Sequence, residues 1–444
     1  MSQDTRAQEL LAPFEPGPRD PFDLAKAGHL ANRAGSGASL AERERLARLG
    51  PAAAVDEMFR LRAGDAVEDL LEEVLAAGDL QRLRAWRVWR LLAGRNRIAE
   101  RMAYFWHGHF ATSNRKVNQV RWMGRQLDVF DRLGLGRFDD LLLAVSQDPA
   151  MLRWLDADSN VKGRPNENFA RELLELFALG RGSYGEHDVQ EAARAFTGWQ
   201  IHDERPRMVA RLHDAGVKEV LGQRGAWQGQ DVVRLAAEHP ASARFLARKW
   251  LAFFVHPEPG AAEIEALAAV YTAHGRDVAA TLRVLLRSRL FFAPRAWRAR
   301  VRAPADWVVG LVRALGANAA PTPLAAAMTR LGEALLEPPS VEGWRGERAW
   351  LTPATWLQRG RFAEDLLGGR GAYRLSRSAE EVLAEARDGR ARADLALRVL
   401  LDDRVEDGAR AAVRRFAEGP GAAGPDGPAA ILVLVSRLPE AQLL

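Results

Sequence analysis

Apolar residues recur at helical spacing along most of the chain. Between residues 96 and 107, Ile98, Met102, Phe105 and Trp106 fall at i, i+4, i+7 and i+8, the interval that places side chains on one face of an α-helix. The stripe Phe245, Leu246, Lys249, Trp250, Phe253 and Phe254, closed by Pro257, repeats the pattern. So do Ile264, Leu267, Ala268 and Tyr271, then Val278, Leu282, Leu285 and Leu286. Pro304 suits the first position of a helix, where its missing N–H costs nothing; Trp307, Val308, Leu311, Val312 and Leu315 then form the buried stripe.

Polar punctuation agrees with these stripes. Asp188 followed by Glu191 is a helix-start pattern and Gly198 a stop; Asn166 after Pro165 is an N-cap, with Gly180 closing the helix it opens. Strand chemistry is confined to 207–221, where short runs flank the turn-forming Asp214-Ala215-Gly216. The expectation is a mainly α, large multi-helical domain with one small β-hairpin near 207–221. Three regions are expected: a Pro-rich flexible segment over 1–20, a helical main domain over 21–368, and a helical C-terminal subregion over 369–444 packed on it. Within the last, the Gly/Pro/Ala-rich 417–430 reads as a loop, and Ile431 to Val435 packs back on the body. No internal repeat of fixed period is found.

Composition narrows the chemistry more than the fold. An apolar fraction of 48% is enough for a large core. The chain has no cysteine, which excludes disulfides, thiolate metal sites and cysteine nucleophiles. Lysine occurs only at 26, 116, 162, 218 and 249, so nearly all 63 basic residues are arginine. They alternate with 58 acidic ones for a net charge of +5, the pattern of a solvated helix surface; a nucleic-acid binder would carry a basic stripe. No secretory signal and no run of about 18 apolar residues is visible, so a cytoplasmic protein without a membrane span is expected.

Four polar motifs interrupt the helical stripes. In Trp106-His107-Gly108-His109-Phe110 the two histidines, two apart, point away from each other on a helix and cannot share a metal there. His109 either bonds local backbone at a helix end or turns into a pocket. In the helix from Asn166 to Gly180, Asn168, Arg171, Glu172 and Glu175 make a polar stripe opposite Phe169, Leu173, Leu176 and Phe177, and Glu167 stands four before Arg171, an ion-pair spacing. That stripe is either solvated or part of a buried network. Two close carboxylates beside Arg or His can do acid–base work or hold a divalent ion. Arg194 and Trp199 lie in the block 188–199, and His213, Asp214 and Lys218 in 213–218. There Asp214 either bonds its own turn and pairs with Lys218, or the loop presents His213 and Lys218 over a cleft, where a desolvated lysine serves as base or nucleophile.

Glu172, Glu175, His109 and His213 are therefore the candidate catalytic groups. Arg171, Asn168, Glu167, Asp214, Lys218, Arg194 and Trp199 are candidate ligand contacts. Zinc-protease, Walker, nucleophile-elbow, dinucleotide and di-iron signatures are absent. Of the 13 tryptophans, Trp106, Trp199 and Trp344 adjoin polar or glycine-containing motifs and suit stacking on a sugar or aromatic ligand. The four motifs are expected to converge on one cleft, so that His109, Glu172, Glu175 and Asp214 meet, and two readings of it stay open. One is a polar cleft in which the network is structural and the ligand unknown; the other is a hydrolase-type enzyme acting on a polar substrate such as a glycan.

These blocks, in this order, resemble the bacterial "domain of unknown function 1800" family. The resemblance begins at His29-Leu30-Ala31-Asn32-Arg33-Ala34-Gly35 and takes in the four motifs above. It continues through Pro304 to Val309, Pro338-Pro339-Ser340-Val341-Glu342-Gly343-Trp344 and Trp350-Leu351, and ends at Ser436 to Gln442, a drifted form of a closing Ser-Pro-Glu-Phe-Gln. It implies no particular reaction or cofactor. It implies frequent export and a sulfatase-like partner protein, hence envelope or polysaccharide biology. The chain departs from the family pattern in showing no export signal and in carrying Gly108 where asparagine is usual.

Overall fold

A computed structural model describes residues 9–60, 70–94 and 96–444. The chain is mainly α-helical, as the periodicity predicts, and its β-structure is two small antiparallel hairpins. One continuous hydrophobic cluster runs from Leu11 to Ala441 and takes in both the main region and the C-terminal helices. Residues 1–8 of the expected flexible segment lie outside the described residues. Residues beyond them lie against the body: the Phe14 N–H donates to the Arg287 carbonyl at 2.7 Å, and its ring meets Phe292 at 5.1 Å.

Helix Arg97–His109 carries the first polar motif. Asn96 caps its first turn by accepting the Ala99 N–H at 3.1 Å, and Ile98, Met102, Phe105 and Trp106 are buried as their spacing requires. It packs on helix Leu24–Gly35 and on Val120–Leu133. Helix Pro240–Phe254 packs on Ala261–Ala273, and Pro304–Ala314 on Pro321–Arg330. At the C-terminus, helix Gly427–Ser436 buries Ile431, Leu432 and Val435 against Pro353–Leu367 and Gly389–Leu401. The segment before it, expected as a loop, holds a short 3-10 turn at Pro420–Ala422.

The β-part differs in detail from the expected single hairpin. Strand β1 (Trp199–His202) pairs with β2 (Arg205–Met208), and β3 (Lys218–Val220) with β4 (Gln223–Gly225). The reversals are Asp203-Glu204 and Leu221-Gly222, all four with positive φ, the geometry of a two-residue turn matched to strand twist. Asp214-Ala215-Gly216 lies in the link between the hairpins. Its carboxylate is bound by Arg194 at 2.8 Å and by the Gly216 N–H at 2.9 Å. The turn is therefore held to helix Glu186–Ala195 instead of closing a ladder.

Helix Asn168–Glu172 continues as a π-helical turn, Leu173–Ala178. Asn166 accepts the Asn168 N–H at 3.0 Å, the capping role its position predicts. A π-turn widens the helix by one residue per turn. That rotates Leu174 into the core and leaves Leu176 half-buried, where a regular helix would bury Leu176. The turn ends at Gly180, whose φ of +78° suits glycine, and whose added Cβ would meet the Phe245 ring at 3.0 Å.

Candidate functional site

The polar motifs fall into three groups, and the first two are ion-pair clusters. On the outer face of helix Asn168–Glu172 and its π-turn, Arg171 bonds Glu167 at 3.0 Å and Glu186 at 2.5 Å. Glu175 accepts from Arg181 at 2.6 Å and Tyr184 at 2.9 Å, which hold its carboxyl below the usual range. Asn168 donates to the Leu155 carbonyl. Glu172 is half-buried with no such partner; desolvation first, then the charges of Glu175 and Glu342, raise its pKa.

The second group gathers around Arg194, which binds Asp214 and also Glu191, at 2.8 Å. The hydrogen bond from Arg194 depresses Asp214 to about 2. Thr197 Oγ1 accepts the Asp214 N–H at 2.8 Å, and His213 Nδ1 lies 2.9 Å from the Thr197 carbonyl. Lys218 is buried and donates to the backbone carbonyls of Asp214 and Gly216 at 2.5 and 2.9 Å, so it meets the turn's backbone and not the Asp214 carboxylate. Trp199 is buried edge-on to Phe196. These contacts tie the hairpin link to helix Glu186–Ala195.

The third group surrounds His109 and opens on a cleft of about 200 Å³. Helix Arg97–His109 runs through Gly108, where a Cβ would meet nothing within 4 Å, and stops at His109. As expected, the two histidines project to opposite sides, and each holds one wall. His107 Nε2 accepts the Leu336 N–H at 2.9 Å. Complete burial drives His107 down to about 3, so it stays neutral. Leu336 carries φ +66°, an uncommon conformation for a bulky residue, and the bond pins the segment that bears Glu333.

His109 Nε2 lies 3.0 Å from the Phe177 carbonyl, and Lys249 Nζ lies 3.1 Å from His109 Nδ1 and 3.2 Å from the Leu176 carbonyl. His109 and Lys249 thus take up carbonyls at the end of the π-turn that have no partner further along the helix. Burial and the adjacent Lys249 charge keep His109 well below its ordinary pKa. Lys249 also sits 4.7 Å from the centre of the Phe245 ring. No described carboxylate pairs with it, and desolvation lowers it to about 8.

Across the cleft, Glu333 is buried. It accepts from the Tyr104 hydroxyl and, at 2.8 Å, from the Ala305 N–H. Desolvation outweighs these bonds and raises Glu333 to about 7. Next to it Arg101 forms a buried pair with Asp306, its guanidinium 4.4 Å from the Phe253 ring centre. Arg300 bonds Glu347 at 3.0 Å, and Trp344 and Trp350 complete the lining. Gly343, with φ +81°, packs so closely on the Gly108 carbonyl that a Cβ would lie 2.7 Å from it, which seats Trp344 at the rim.

Of the candidates read from sequence, His109 and Trp344 line this cleft. Lys249, Glu333, Tyr104, Asp306 and Arg300 were not singled out as site residues. Lys249 is the one with a sequence trace: a lysine inside a Phe/Trp stripe, in a chain that otherwise uses arginine. Among the described residues no cluster of three or more His, Asp or Glu side chains is placed to hold a metal ion, and no helix is long and apolar enough to cross a membrane.

A family model described as "Protein of unknown function (DUF1800)" matches residues 29–443, nearly the whole chain. No curated protein and no solved structure matches.

Proposed function

The chain belongs to the DUF1800 family, whose description carries no activity, and from that premise we propose that the His109–Lys249 cleft binds a small polar ligand bearing an anionic group. The observation that carries this reading is the Lys249 ammonium on the cleft wall. It faces an imidazole nitrogen, a carbonyl and an aromatic ring, and no carboxylate. The other cations of the lining region have acidic partners: Arg101 has Asp306, and Arg300 has Glu347. A half-buried charge without a counter-ion is costly, and an anionic ligand supplies one. Trp344 and Trp350 give the ligand a ring to lie against, the usual way aromatic side chains hold a sugar face. An acidic saccharide meets both demands. It is also the kind of compound that the sulfatase-like partner implied by the family resemblance would handle.

The test is calorimetry and thermal shift on the full chain with glucuronate and glucose. Glucuronate is expected to bind and raise the melting temperature, glucose to do neither, and Lys249→Met to lose the difference. Equal response to both sugars, or an undiminished response in Lys249→Met, rejects the reading.

A second reading, hydrolase-type acid–base chemistry at Glu172 and Glu175, is favoured by one observation. The two carboxyls are held differently: Glu172 is half-buried without a described hydrogen-bond partner, which raises it, while Glu175 accepts from Arg181 and Tyr184, which lowers it, the division of labour between an acid and a base. Turnover of a glycan that is lost in a stably folded Glu172→Gln supports it; unchanged turnover rejects it.

A further inference from the structure

We propose that the Lys249 amine forms an imine with a carbonyl compound that carries a carboxylate, a 2-oxo acid or the open-chain aldehyde of a uronic acid. The inference rests on the cleft being the ligand site and adds a covalent step to it.

The geometry around Nζ is the ground for it. A neutral amine has two N–H bonds and one lone pair. Two acceptors are already in place, His109 Nδ1 at 3.1 Å and the Leu176 carbonyl at 3.2 Å. The Phe177 carbonyl accepts only, so His109 Nε2 carries the ring proton and Nδ1 offers its lone pair to Nζ. With both N–H bonds directed into the wall, the nitrogen lone pair is left for the open side, which is the cleft. An ammonium in the same place has a third N–H and finds no carboxylate for it. The unliganded site therefore eases the loss of one proton and gives Lys249 a larger share of the neutral, nucleophilic form than an exposed lysine has, the condition for Schiff-base chemistry.

The remaining lysines are placed otherwise. Lys26 is paired with Asp20, Lys116 with Asp156, and Lys218 donates to two backbone carbonyls; Lys162 is exposed. None borders the cleft.

The step balances without a co-reactant. The ammonium first gives one proton to solvent; neutral Nζ then attacks the carbonyl carbon, forming a C–N bond, and the carbonyl oxygen takes up that proton and a second one from nitrogen. The C–O bond then breaks and the oxygen leaves as water. Lysine ammonium plus carbonyl gives protonated imine plus water, with no change of oxidation state. The product keeps its positive charge on nitrogen, so a carboxylate on the ligand stabilises it as it stabilised the ammonium.

The experiment uses the full chain, pyruvate or glucuronate as probe, sodium cyanoborohydride to reduce any imine, and peptide mass mapping of all five lysines. At pH 8 an amine lowered to about 8 is neutral on the order of a hundredfold more often than one at 10.5. Modification is therefore expected to concentrate on Lys249 by at least about tenfold over Lys116 and Lys162, allowing for the restricted access of a cleft. Acetaldehyde, which lacks the carboxylate, is expected to keep the preference that the lowered amine gives and to show less total adduct at Lys249 than pyruvate or glucuronate. Adduct with pyruvate alone assigns a 2-oxo acid, and adduct with glucuronate assigns the uronic acid. Comparing lysines within one wild-type sample makes the result independent of whether a Lys249 variant folds. Adduct spread evenly over the five lysines overturns the proposal, as does none at Lys249. If glucuronate still binds by calorimetry in that case, the covalent step fails while the anion cleft stands; if it does not bind, both fall.

Discussion

Lys249 Nζ stands 3.1 Å from His109 Nδ1, and that contact is possible only while the imidazole is neutral. Protonated His109 would present an N–H to an ammonium. Its other nitrogen is already committed to the Phe177 carbonyl. The pair therefore behaves as one unit whose variable proton belongs to the lysine.

Stability should follow that proton. Lys249 is lowered to about 8 in the folded chain from an ordinary 10.5. A depressed amine contributes its full stability above the unfolded value and loses it as pH falls through the folded one. Melting temperature, corrected with Lys249→Met as baseline, is expected to fall as pH drops from about 10.5 to about 8. A wild-type and variant difference that is flat across this window contradicts the assignment.

Glu333 predicts the opposite slope in a lower window. Its folded value is raised to about 7 from 4.5. Its contribution is complete below pH 4.5 and is lost as pH rises through 7. Glu333→Gln, which cannot ionise, is expected to melt with a flatter profile between pH 4.5 and 7 than wild type. Parallel profiles would show that Glu333 ionises freely.

Removing Arg101 should be severe. Its pair with Asp306 is buried on both sides, and Arg101→Met strands a carboxylate in the core. The expected loss is about 3–5 kcal/mol in denaturant unfolding. The double variant Arg101→Met with Asp306→Leu is expected to recover part of it.

The Arg194 cluster, by contrast, should be structural and modest. Arg194 is partly exposed while holding Asp214 and Glu191. Arg194→Ala is expected to cost about 1–3 kcal/mol and to leave glucuronate binding at the Lys249 cleft unchanged. Lost binding in a folded Arg194→Ala would tie this cluster to the cleft.

Much of the helical architecture was legible because helix stripes are local. Ile98 to Trp106 and Trp307 to Leu315 are buried as spaced, and the Asn166 cap and the Glu167–Arg171 pair follow from intervals of two to four residues. The hairpins were legible as β-chemistry but not in register, since Asp203-Glu204 carries positive φ without the glycine that usually announces it. The π-turn escaped because a single inserted residue leaves the apolar count unchanged and only rotates the face. The cleft escaped for another reason. Glu333 meets Tyr104 across 229 positions and Lys249 meets His109 across 140. Nothing in one segment's pattern identifies its partner in another. The expected convergence of His109, Glu172, Glu175 and Asp214 assumed that conspicuous motifs seek each other. Their contacts are instead mostly with nearer neighbours such as Arg181 and Arg194.

The π-turn has one more implication. Its last carbonyls are gripped from inside by Lys249 and His109, while Glu175 rides on its outer side. A ligand that draws Lys249 away from the Leu176 carbonyl would release one end of that turn and let the wider coil tighten by a residue. Glu175 would then swing around the helix axis. Occupancy of the interior would thereby be displayed on the surface as a change in where its negative charge points.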